Sequence, residues 1–449
     1  MDDEDLSRRA VIALLAVAGG ATGITHLRSI LDSRTGGARE VLPEVEKEPD
    51  TPHPSEETAT PEPEPGVHLE DHGGMADGET DDTEALMAAL DEAAPDGTVR
   101  LPEGEILIGS GMADAILLVH RHRGVTIAGE GPDATRLKMA PGHNSVHRGI
   151  VITPSRRDDI TGITIRDLML DGQGLKQDYN IANGIEVQSA NGNGYPVEIR
   201  NCVIYDWATN GLQLREPGTG IYDSSILLNG RKQEAETGRD GHGVATSIGN
   251  NSNGRTLIQR CLLQGNTGAG ADNSGGNMMV IGCVIDDCGY GVKQNETTNR
   301  QIIENTRISN LRTEPGVYNI PQDRTGGDLV LNNVCIENAT DPGLLFPAGG
   351  TITGDRILIK NTNTEASQPA AVVVREEGRK FDVGELAVYE TGNESAMYLE
   401  NCTGSIDRFV HDGPGDSIGQ LSEVAVDTID NDDSMTIDVP RAIDVGASL

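Results

Sequence analysis

A short pattern, apolar-x-Asn-small, recurs along this chain, and recurrence at near-constant spacing constrains a fold more tightly than any single motif. It occurs within ITIRDLML, VEIRNCVI, GIYDSSIL, LIQRCLLQ, VIGCVIDD, IIENTRIS, VLNNVCIE and LIKNTNTE. The small position falls at Leu168, Cys202, Ser224, Cys261, Cys283, Thr306, Val334 and Thr362, with gaps of 34, 22, 37, 22, 23, 28 and 28 residues. The minimum of 22 matches one coil of a three-faced β-solenoid, and the longer gaps read as coils with loop insertions. One residue earlier stand Asp167, Asn201, Asp223, Asn305, Asn333 and Asn361, a ladder whose side chains can bond the turn of the next coil.

A second register runs beside the first. About nine residues after most anchors, and 16 and 19 after Leu168 and Ser224, comes Gly followed by an apolar residue: Gly184-Ile185, Gly211-Leu212, Gly243-Val244, Gly270-Ala271, Gly291-Val292, Gly316-Val317 and Gly343-Leu344. Two registers repeating together predict an all-β chain wound as a single-stranded parallel β-helix over residues 75–405. Composition agrees, because 56 Gly with 3% aromatics suits short strands and tight turns. Cys202, Cys261 and Cys283 take the inward anchor position, Cys335 sits beside it and Cys402 follows Asn401. They read as small core residues. Cys261 and Cys283 fall on adjacent coils, which permits a disulfide without requiring one. No Cys or His spacing suggests zinc.

Before the repeats, a helix is expected to open at Asp81, with Glu84 completing a capping box and Leu86, Met87 and Leu90 on one face. The succession DGETDDTEALMAALDEA, GTVRLPEGEI and GVTIAGEGPDATRL resembles the opening of the pectate lyase-like superfamily. That resemblance implies a right-handed solenoid with the helix as its N-terminal cap.

Ser7-Arg8-Arg9 followed by the apolar run Val11–Ala18 resembles a twin-arginine export signal, so residues 1–33 are expected to act as a signal or membrane anchor. Residues 34–66, rich in Pro, Glu and Thr, read as a disordered spacer, and 406–449 as an acidic C-terminal segment. Acidic residues outnumber basic ones 71 to 35, for a net charge of -36. Such a surface repels nucleic acid and stays soluble in concentrated salt, pointing to a secreted, halophilic protein with either no membrane contact or an N-terminal tether.

Alternation along the strand puts Glu186, Gln213, Ala245, Asp272, Lys293 and Tyr318 outside, with Gln188, Arg215, Ser247, Ser274 and Asn295 two residues on. Stacking makes one polar strip, suited to an extended polysaccharide. An insertion, RKQEAETGRDGHG, brings Arg239, Asp240 and His242 over it. The GHG at 241–243 and GYGVKQN at 289–295 resemble motifs of the polygalacturonase branch, but that branch's Asn-Thr-Asp and Asp-Asp are missing. ATNG stands at 208–211 instead.

The candidate catalytic residues are Asp240, His242, Asp272 and Lys293, with Glu186, Arg215 and Tyr318 as substrate contacts. As the resemblance implies for a lyase, Glu186, Asp240 and Asp272 hold Ca²⁺, and Lys293 or Arg215 takes the proton. As a glycosidase, Asp240 and Asp272 serve as acid and base. A third reading is a non-catalytic glycan-binding or surface protein. The scarcity of aromatic platforms for sugar rings favours it, while Asp272 beside Lys293 would then be a mere surface ion pair.

Overall fold

The computed structural model describes residues 65–111, 113–153, 162–188, 197–215, 218–237, 241–247, 255–295, 298–320, 327–347, 350–365, 368–389, 395–411, 418–420, 423–430, 435–440 and 442–443. The export signal, all but the end of the spacer, and Asp240 with Arg239 lie outside the described residues.

Among the described residues every strand pairing is parallel, each between one coil and the next, from Val67–His68 at one end to Glu423–Asp430 at the other. The solenoid therefore extends past residues 75–405 in both directions. Three faces form, each built on an inward apolar column. The first runs through Ile165, Ile199, Ile221 and Ile258. The second runs through Leu170, Ile204, Ile226, Leu263 and Ile285. The third runs through Ile150, Ile185, Leu212, Val244, Ala271, Val292, Val317 and Leu344. These columns merge into one continuous buried core. Apolar residues stack on apolar ones, so each inward side chain packs on an apolar neighbour in the next coil.

The anchors from Leu168 to Val334 pair in the expected order. The last anchor is corrected: Val334 pairs with Ile357, not Thr362. Several coils turn at two corners through left-handed residues, such as Asn305 and Asn310, or Asn333 and Asn338. Short polar side chains tolerate that conformation best. Asn361 belongs to the second corner, where it donates to Asn338 at 2.9 Å. The first-corner ladder is bonded as expected, with Asn201 donating to Asp167 and Asn333 to Asn305, both at 2.8 Å.

The Gly column of the third face has a different cause. A Cβ on Gly243 would come 2.7 Å from the Gly270 carbonyl, and one on Gly291 would come 2.3 Å from that of Gly316. Only hydrogen fits where each coil's carbonyl meets the next coil's α-carbon.

A helix, Thr83–Ala93, buries Leu86 and Leu90 against the first coils, while Met87 is only partly buried. Its opening departs from a capping box. Asp81 accepts from the Thr83 backbone N–H at 3.0 Å, and Asp82 turns back to the N–H groups of Met75 and Ala76. These contacts tie the helix to the preceding loop.

All six cysteines are free and buried. Burial pushes the Cys202 thiol up to about 12. At the far end, residues 435–440 cross the outside of three successive coils. Met435 N–H donates to the Tyr389 hydroxyl, Arg356 to the Thr436 carbonyl, and Asn333 to the Asp438 carbonyl. Met435 and Ile437 also join the outer apolar group of Leu358, Ala387, Tyr389 and Val410.

Candidate functional site

On the third face the outward column follows the expected register: Glu186 neighbours Gln213, then Ala245, Asp272, Lys293 and Tyr318. Directly behind it the inward column turns polar. Thr246 donates to Asn273 at 3.0 Å and Asn319 to Gln294 at 3.2 Å, all four being buried. Such bonds stiffen the floor beneath the strip.

A third column, the residue before each register Gly, edges the strip and holds, beside His242, side chains that sequence reasoning passed over. It contains Arg148, Asn183, Asn210, His242, Ala269 and Tyr290. Three of its members accept the backbone N–H of the same position in the next coil. Asn183 Oδ1 takes Asn210 N–H at 3.4 Å, Asn210 Oδ1 takes His242 N–H at 2.8 Å, and His242 Nδ1 takes Ala269 N–H at 2.9 Å. His242 thus continues an asparagine ladder. Because Nδ1 accepts, the neutral ring carries its proton on Nε2. Nε2 lies 3.2 Å from Asp272 Oδ2 and donates to it. The other oxygen, Asp272 Oδ1, accepts from Asn295 Nδ2 at 3.0 Å and Ser274 Oγ at 3.2 Å.

This corrects the picture of an exposed Asp272–Lys293 ion pair. The two are lateral neighbours, yet Asp272 is 5% exposed and turned to His242. The Lys293 ammonium instead sits 5.5 Å from the centroid of the Tyr290 ring, which stacks on Tyr318 with centroids 5.8 Å apart. Among the described residues no carboxylate lies within ion-pair distance of Lys293, so its charge is available to an anion.

Glu186 and Arg215 form a separate cluster. Glu186 is buried, against the expectation of an open contact, and accepts from Arg148 at 2.6 Å, Asn183 at 3.0 Å, Gln188 at 3.3 Å and Arg215 at 3.4 Å. Burial pushes its carboxyl up, but the Asn183 amide and Arg148 guanidinium outweigh burial and hold it below the ordinary range. Arg148 also donates to Asp114 at 2.7 Å and so is held between two carboxylates, whereas Arg215, its side chain 46% exposed, reaches no carboxylate but Glu186 among the described residues.

Glu186 and Asp272 lie three coils apart, about 14 Å. They cannot share one Ca²⁺, and the ligand set of the lyase reading is not assembled. Among the described residues no three His, Cys, Asp or Glu groups converge.

No family model matches the chain. It is similar to the mannuronan C5-epimerase AlgE1 of Azotobacter vinelandii, 25% identical over 234 residues, which is 45% of this chain and 16% of that protein. AlgE5 of the same organism is 25% identical over 257 residues, 50% of this chain and 24% of that one. Alginate lyase 7, again from Azotobacter vinelandii, is 36% identical over 109 residues, 23% and 12% respectively. The chain thus spans less than a quarter of the length of these curated relatives. Among solved structures, the A-module of the Azotobacter vinelandii epimerase AlgE6 superposes with a TM-score of 0.53 at 15% identity, covering 82% of this chain and 99% of that one. The AlgE4 A-module gives 0.52 at 16%, covering 81% and 95%. At such identity these two structures bear on the fold alone, and they support the right-handed parallel β-helix.

Proposed function

We propose that the chain binds an acidic polysaccharide, a polyuronate, along the third-face strip, and that it removes the C5 proton of a uronate unit. The observation that carries this is the placement of Lys293, with no carboxylate partner among the described residues, and the half-exposed Arg215 on one strip of a chain whose net charge is -36, on either side of an imidazole–carboxylate pair. Cations gathered where the rest of the molecule is anionic favour a negatively charged ligand.

The chemistry follows from the geometry. The C5 proton of a uronate is acidic only if the charge moving onto its carboxylate is stabilised, and the Lys293 ammonium, resting on Tyr290 beside Asp272, is placed for that task. Asp272 is the proton acceptor, and His242 Nε2–H orients it, because the His242 ladder bond leaves that ring as a donor. Loss of the C5–H bond leaves its electron pair in the enolate. Return of a proton to the opposite face gives the C5 epimer, and expulsion of the 4-oxygen gives an unsaturated uronide. The names of the relatives, C5-epimerases and a lyase, support both outcomes. The glycosidase alternative pairs Asp272 with Asp240, which lies outside the described residues; Glu186 cannot take the place of Asp240, since about 14 Å from Asp272 exceeds the roughly 6.5–9.5 Å such pairs need.

The acidic surface and the Arg8-Arg9 segment support action outside the cell at high salt. Incubation with mannuronan, followed by absorbance for unsaturated uronides and proton NMR for epimerised units, tests the reading. Product is expected from the wild-type chain and none from Asp272→Asn. Binding without product supports the non-catalytic alternative, and neither binding nor product rejects the proposal.

A further inference from the structure

The strip continues past Lys293. Its outward column runs on through Tyr318, Leu345, Val373 and Tyr398. Leu345 and Val373 point away from the core yet are 9% and 0% exposed. Tyr318 and Tyr398 pack against them, so the surface left facing outward is aromatic and cationic. The Arg375 guanidinium lies 5.4 Å from the Tyr398 ring centroid, much as Lys293 lies over Tyr290. Aromatic side chains make up only 3% of the sequence, yet three tyrosines line this one strip.

Charge pairing separates these stations from an ordinary surface contact. Arg200 also lies over a tyrosine, Tyr222, but on the first face, where Glu198 holds it at 2.8 Å. Among the described residues Arg375 has one ion-pair partner, Glu400, at 4.0 Å, and it keeps 40% of its side chain exposed. Both strip cations therefore combine a flat apolar support with charge left over for an anion.

Spacing gives the second argument. From the coil of Arg215 to that of Lys293 is three steps, through Ala245 and Asp272. From Lys293 to the coil of Arg375 is again three, through Tyr318 and Leu345. Cations thus recur about every 14 Å along the axis. The advance of one coil is close to that of one pyranose in an extended glycan, so every third carboxylate of a polyuronate would meet a cation.

We infer that Arg375 and Tyr398 form a distal uronate-binding subsite, and that the polymer lies parallel to the solenoid axis, touching Arg215, Lys293 and Arg375 in turn. This rests on the polyuronate reading above. The test is calorimetric titration, at one fixed salt concentration, of a mannuronate trisaccharide and a decasaccharide into the full chain carrying Asp272→Asn, which prevents turnover. Adding Arg375→Ala is expected to weaken decasaccharide binding about fivefold, the loss of one exposed charge contact. Trisaccharide binding should stay unchanged, because an oligomer of that length seats at Lys293 without reaching Arg375. Arg375→Lys should restore most of the loss. Equal weakening at both lengths, or none at either, overturns the subsite while leaving the polyuronate reading intact. Failure of the parent to bind either oligomer overturns both.

Discussion

His147 offers the sharpest test of how this solenoid responds to acid. It is 0% exposed, its Nδ1 is committed to the Ser145 carbonyl at 3.0 Å, its Nε2 has no hydrogen-bond partner, and its ring stacks on His143 with centroids 4.6 Å apart. A proton on Nε2 would be a buried charge beside a second imidazole, with no carboxylate paired to it among the described residues. Burial accordingly pushes its pKa from 6.5 to about 4, with a smaller push from His143 and an opposing one from the Ser145 carbonyl.

The folded pKa lies below the unfolded one, so His147 destabilises nothing above about pH 6.5. As pH falls from there to about 4, the unfolded chain takes up a proton that the folded chain refuses. The gap between 6.5 and about 4 corresponds to about 3 kcal/mol. Urea unfolding of the wild type and of His147→Gln, followed by circular dichroism between about pH 7 and about pH 4, isolates this contribution. Carboxylates titrating in the same range affect both proteins and cancel. The variant should start less stable, from lost packing, and then lose about 3 kcal/mol less than the wild type on acidification. Parallel stability curves for the two would refute the reasoning, because they would mean that the folded state accommodates the charged ring.

Three further outcomes follow from the same structure. His242→Asn should keep the ladder bond to Ala269 and leave the melting temperature within a few degrees, yet lower polyuronate turnover roughly 100-fold by removing the donor to Asp272; an active H242N would sever the imidazole from the chemistry. Cys283→Asp should cost more than about 4 kcal/mol, since the Sγ site faces the Ile258 and Ile281 carbonyls, each at 3.4 Å, whereas Asn295→Asp should still fold; equal melting temperatures would exchange inside for outside. Replacing Arg8 and Arg9 by Lys should retain the protein in the cytoplasm, and fractionation that finds it still exported would reject a twin-arginine signal.

The two sequence registers located nearly every coil because each rests on a local steric demand. A Gly is required where carbonyl and α-carbon meet, and Asn or Asp is favoured where φ is positive. The same rule explains the slip at Thr362: both corners of a coil accept Asn, so Asn361 satisfies the pattern one corner late. The site was legible as a strip but not as a set of partners. Alternation gives the direction of Asp272 and says nothing of whether its carboxylate turns to Lys293 beside it or to His242 at the edge. Nor does it report burial, since Glu186 points outward and is still shielded by Arg148 and Asn183. Arg148, Asn210 and Tyr290 had a usable signal, their place one residue before a register position, which only becomes meaningful once that column is seen to carry its own ladder.

The segment 435–440 changes how the terminal coils can come apart. A solenoid held only by neighbour-to-neighbour bonds loses its last coil first, then the next, each departure requiring little more than one interface. Here Tyr389, Arg356 and Asn333, on three coils in sequence, all grip one crossing segment. Peeling therefore cannot begin without releasing that segment, so three small separate losses become a single larger one. The C-terminal end should resist proteases and slow heating as a block, and its failure, when it comes, should be abrupt.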